Sequence, residues 1–261
     1  MFLKPFSMSV LAWLVCPLAV SAAVTDYFQD FESLDRTDPN ALINDGWLLF
    51  AAGINGDAQF GNFGAGPFGL PNDINNPNIS VISDIASGGA PPAGNQGLTF
   101  FSDYNSPLHS DPNDPRDLVL SAFQERTIMA GDIGNRVEFT FLADANANPP
   151  TGDAITEAFL LTLDPNAGFA ATNDLSFDTT NIIDGALVNG SLSLDLTDPA
   201  LVGQILQFGF RNTASDFEGS AVDYDNVRLS VSSVAVPEPT SMATLAVVGI
   251  AGMVGRRRRR R

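Results

Sequence analysis

The sequence predicts an all-β fold, an antiparallel two-sheet sandwich. Three observations predict it. Apolar residues alternate with period two: Val137, Phe139 and Phe141 share one face, with Glu138 and Thr140 on the other. No helical period longer than two turns appears between Val24 and Val234. Polar loops rich in Gly, Pro, Asn and Asp separate the strands, and no βαβ rhythm links them.

The elements follow in order. Strands are expected at 26–31, 47–51, 79–82, 98–101, 118–123, 137–141, 158–163, 192–196, 206–211 and 227–231. In the last two, Leu206, Phe208 and Phe210 point inward, as do Val227, Leu229 and Val231. The longest loops are 53–78 and 103–117. Asp198-Pro199 predicts a short helical turn through Gly203, because Asp caps a helix start and Pro suits its first position. The sandwich is assigned to residues 24–231, with no internal repeat and no dividing linker.

The two ends read as addresses flanking that domain. Residues 1–23 have the form of a secretory signal helix. Lys4 gives the positive start, 6–20 are apolar, and Val20-Ser21-Ala22-Ala23 supplies small residues for cleavage after Ala22 or Ala23. Cys16, the only cysteine, leaves with this leader. At the other end, 232–241 form a linker containing Pro237-Glu238-Pro239. An apolar helix at 242–255 and six arginines at 256–261 follow. The apolar segment is shorter than the ~20 residues of a full span. The arginines hold the terminus on the cytoplasmic side.

Pro-Glu-Pro, apolar helix and arginine cluster, in that order, resemble the PEP-CTERM sorting signal of Gram-negative, exopolysaccharide-producing bacteria. The resemblance implies passage through the inner membrane and recognition of Pro237, Glu238 and Pro239 by an exosortase. It implies removal of the tail and delivery to the cell surface or the extracellular matrix.

Charge narrows the functions further. The whole chain carries −17, with 13 basic and 30 acidic residues. Between the two ends, six arginines face 29 carboxylates, a net of −23, and there is no lysine. Such a body repels nucleic acid and attracts divalent cations. One cysteine and one histidine, His109, cannot build a disulfide scaffold or a Cys/His zinc site.

Asp30-Phe31-Glu32-Ser33, Gly46-Trp47 and Val222-Asp223-Tyr224-Asp225-Asn226-Val227-Arg228-Leu229 resemble the frame of jelly-roll carbohydrate-binding modules. That resemblance implies a structural calcium ion held by Glu32 and Asp225, with Asp30 and Asp223 assisting. Parity supplies a separate reason. Asp225 matches Val227 and Leu229, and an inward carboxylate needs a partner or a metal. The alternative is a turn in which Asp225 caps Val227.

Other constellations are weaker. Asp144-Ala145-Asn146-Ala147-Asn148 begins like an EF-hand loop. Pro149 stands where Gly is needed and Ile155 where Glu is needed, so a polar hairpin loop is expected. Residues 111–117 read as a rigid acidic turn. Ser106, Ser110 and His109 lack any nucleophile-elbow context, and no paired-carboxylate pattern of jelly-roll glycosidases is present. Trp47 reads as core. Phe60, Phe63 and Phe68 are expected to staple the loop 53–70, and Tyr104 is the exposed aromatic best placed to meet a sugar. The reading is a non-catalytic structural or adhesive surface protein. A polysaccharide-binding module is the alternative, and a hydrolase or lyase the third. Exosortase, the secretion machinery and extracellular polysaccharide are the expected partners.

Overall fold

The computed structural model describes residues 23–55, 59–60, 66–67, 80–84, 93–101, 117–146, 149–152, 154–183, 186–214 and 220–234. Two antiparallel sheets face each other. The first contains β1 (Tyr27–Gln29), β5 (Ser80–Asp84), β6 (Gln96–Phe100), β8 (Asn135–Ala145), β11 (Val188–Leu196) and β13 (Val222–Ser233). Its order is β11-β8-β13-β6-β5, with β1 also on β13. The second contains β2 (Leu48–Asn55), β3 (Gln59–Phe60), β4 (Gly66–Pro67), β7 (Asp117–Thr127), β9 (Ile155–Asp164), β10 (Ala170–Asp178) and β12 (Ile205–Ala214). Its order is β10-β9-β12-β7-β2-β3, with β4 on β2.

Alternation made these strands and now fills the core. Phe139, Phe141, Phe208, Phe210, Tyr224 and Leu229 are buried between the sheets. Tyr224 stacks on Phe210 across the sandwich, ring centroids 3.6 Å apart. Trp47 is buried as expected and stacks on Phe210. The Tyr224 hydroxyl meets the Thr179 hydroxyl at 2.8 Å, and Thr179 donates to Thr156, so this buried polar end is satisfied. The turn at Asp198 forms as predicted: Pro199–Leu201 is a single 3-10 turn, with the Asp198 carboxylate accepting from the Ala200 N–H.

Four elements depart from expectation: β3 and β4 fall inside the 53–78 segment read as loop, and β10 and a short helix were not foreseen. β10 is a full edge strand where none was predicted, because only Leu175 and Phe177 mark its inward side and its other residues are polar or small. A single turn of helix, α1 (Ala41–Asn44), buries Ala41 and Leu42. Tyr104, His109, the Ser106 and Ser110 candidates, the Phe63 and Phe68 staples and most of the 111–117 turn lie outside the described residues. So do the leader 1–22 and the Pro237-Glu238-Pro239 tail. Among the described residues, no helix is long and apolar enough to cross a membrane.

Candidate functional site

The first and last strands pair, and this pairing builds the region of interest. Tyr27 lies opposite Leu229, Phe28 opposite Arg228, and Gln29 opposite Val227. The Tyr27 ring turns inward against Phe208 and Trp47. Phe28 therefore takes the outer side and remains 55% exposed.

β13 changes phase in its middle. Its pairing with β8 slips between Asp225 and Arg228, and Asn226 adopts a left-handed backbone, φ 47°. The extra residue is a β-bulge. Tyr224 faces the core before it, and Val227 and Leu229 face the core after it. Asp225 therefore shares the outer face with Asp223, not the inner face with Val227. The parity expected from alternation is corrected here: a bulge residue adds one to the count. Asp225 is nevertheless fully buried, because the turn at 93–96 covers it.

That turn holds two of the predicted carboxylates, Glu32 and Asp225. Phe31 is left-handed, φ 58°, which sends its ring into the core beside Trp47. The Gln29 side chain accepts the Phe31 N–H at 2.6 Å, and Asp30 accepts the Glu32 N–H at 3.2 Å. Glu32 then reaches the turn, where its carboxylate accepts the N–H groups of Asn95 and Gln96. These donors hold it below the usual carboxylate range. Asp225 accepts from the Ala93 N–H at 3.0 Å and from the Asn226 N–H at 2.6 Å. Burial pushes its carboxyl up to about 6, despite those two N–H bonds, and repulsion from Glu32 and Asp30 adds to the rise. Gly94, φ +62°, is required at this point: a Cβ there would sit 2.1 Å from the Glu32 Oε1.

Asp223 stands apart from these residues. Its carboxylate accepts the Thr99 hydroxyl and, through both oxygens, the Asn146 amide at 3.0 and 2.9 Å. Burial raises its carboxyl. Asp144, next to last in β8, lies opposite Asp223, and Asn146 donates to Asp223.

The donors around the turn are hard oxygens, the type calcium takes. Asp30, Glu32 and Asp225 form no ion pair among the described residues, so their mutual repulsion is not offset by an arginine. Each carboxylate oxygen that accepts an N–H retains further lone-pair capacity. In kind and in charge, the residues fit a calcium ion. Among the described residues, no three acidic, histidine or cysteine side chains converge on one point as a ready metal site. Any further ligands would therefore be backbone carbonyls or water.

Beside the bulge lies an open groove of about 370 Å³ on the outer face of the first sheet. Phe28 forms one wall. Arg228, Asn189, Asn226, Thr140 and Ser191 supply polar groups, and at its edge the Glu138 carboxylate accepts the Ser191 hydroxyl at 2.9 Å. Sequence reading missed this groove. Its one signal was Phe28, an aromatic on the wrong side of a strand whose inward positions were already filled by Tyr27 and Gln29.

Residues 235–260 match the PEP-CTERM protein-sorting motif, the segment expected from its sequence. The tail thus marks an exported protein sorted by exosortase. A search of curated protein sequences finds no match. Solved structures include a Stig cyclase, Fisc, from Fischerella sp. TAU: 14% identity, 80% of this chain and 90% of that one, TM-score 0.43. They include the CBM22-1–GH10 modules of Clostridium thermocellum xylanase 10B complexed with xylohexaose: 12% identity, 80% of this chain and 29% of that one, TM-score 0.40. A third is TmCBM61 in complex with β-1,4-galactotriose: 12% identity, 60% of this chain and 83% of that one, TM-score 0.33.

Proposed function

We propose that this is an extracellular adhesive protein of a Gram-negative bacterium, whose β-sandwich holds a polysaccharide chain without cleaving it. The groove carries this reading. A sugar ring presents an apolar C–H face, which suits the exposed Phe28 ring, and a rim of hydroxyls, which suits the amides of Asn189 and Asn226 and the guanidinium of Arg228. A body with 29 acids against six arginines repels an anionic glycan and so favours an uncharged one. Transit through the inner membrane and exosortase recognition of Pro237-Glu238-Pro239, which the sorting motif supports, would carry the groove outside the cell.

Affinity electrophoresis against a panel of neutral polysaccharides tests the reading. Retardation by one of them, weakened about tenfold or more by Phe28→Ala, is expected, since one aromatic contact is worth about 1–3 kcal/mol. Equal retardation of the wild type and the Phe28→Ala and Arg228→Ala variants would remove the groove from the account.

Calcium belongs to the same proposal as a structural ion. Glu32 and Asp225 would hold it, Asp30 would assist, and the ion would tie the first strand, the 93–96 turn and the last strand together. The observation behind it is the uncompensated carboxylate repulsion at Asp225.

A further inference from the structure

The body begins on a buried carboxylate. Asp132, 4% exposed, accepts the Met129 N–H at 2.7 Å and the Val24 N–H at 3.2 Å, both through Oδ2. Val24 is itself 4% exposed and belongs to the core, whereas Ala23 is exposed. No arginine pairs with Asp132 among the described residues. A carboxylate this deeply buried is costly without a cation. The sequence offers no lysine in the body to supply one.

The missing charge lies in the chain itself. Val24 directly follows Ser21-Ala22-Ala23, one of the two small-residue frames that permit signal cleavage. We propose that the leader is cut after Ala23, and that the new Val24 ammonium docks on the Asp132 carboxylate as a buried ion pair. Water adds across the Ala23–Val24 peptide bond under an exporting cell's signal peptidase. Ala23 leaves with the carboxylate and Val24 keeps the amine. The same nitrogen that donates one N–H to Asp132 then carries a full positive charge, and the hydrogen bond becomes charge-assisted. Cleavage after Ala22 would instead leave the ammonium on exposed Ala23 and Asp132 without its cation.

This inference rests on the reading of 1–23 as a signal peptide, and the test separates the two. The full chain is produced in an exporting Gram-negative host, and the exported protein is weighed intact and sequenced from its amino end. A first residue of Val24 is expected. A first residue of Ala23 would overturn the inference and leave the signal reading standing. A chain still starting at Met1 would overturn both. Docking is read separately with an acetylating reagent. Lys4 is the only lysine, so the processed protein has a single amine, its own terminus. That amine should react about tenfold or more slowly in the native protein than in urea, one unit of pKa or its equivalent in shielding. Asp132→Asn should restore fast labelling while the Val24 start is kept. Equal rates in native and unfolded wild-type protein would overturn the docking without recourse to any variant.

Discussion

Asn226 and Gly94 are single residues on which the acidic turn depends. Asn tolerates the left-handed region better than any other side chain but glycine. Asn226→Val should therefore cost about 1–2 kcal/mol in urea unfolding, whereas Asn226→Gly should be nearly neutral. Gly94→Ala adds a clash with Glu32 to the same backbone strain and should be at least as costly. Asp225 makes the pH dependence specific. Its carboxyl is raised in the folded state, so the folded protein binds more protons than the unfolded chain between about pH 4 and 6. In EDTA, stability should rise as pH falls from 7 through that window and level off near 4. Calcium should hold the carboxylate ionised and cancel the rise. Melting curves across that range check both arms. A flat EDTA profile would show that Asp225 is already neutralised by something else.

At the scale of elements, β1 and β13 explain both the acidic turn and the groove. Their pairing sets Phe28 beside Arg228, and the bulge then places Asn226 at the groove edge and Asp225 under the 93–96 turn. Alternation read β8, β12 and the final half of β13 correctly, because their inward residues are large and regularly spaced. It failed at Asp225 because period two has no means of counting a bulge. It failed at β10 because an edge strand needs few apolar residues on either side. The Asp30-Phe31-Glu32 frame was legible as a motif. Its mechanism, a left-handed Phe31 that buries the ring and frees the carboxylate, was not. Excess calcium over EDTA should raise the melting temperature by several degrees, and Glu32→Ala or Asp225→Ala should abolish the rise. No rise in the wild type would leave Asp225 as a cap on the 93–96 turn.

Across the whole molecule, the two ends of the described sandwich lie close to one turn. Val24 donates to Asp132, and Val234 donates to the Gly134 carbonyl at 2.9 Å. Val24 and Val234 therefore both anchor to one turn, 129–134. The sorting tail was legible because it is linear and read by machinery as sequence. The groove was not, because it combines residues from four strands whose neighbours only the fold decides. Glycan binding is expected in that groove. Amide shifts should be recorded while a neutral oligosaccharide, chosen from the polysaccharide that retards the protein most, is titrated into it. The prediction is a contiguous set of shifts on β1, β8, β11 and β13 around Phe28 and Arg228. Shifts confined to the second sheet, or none at saturating glycan, would contradict it.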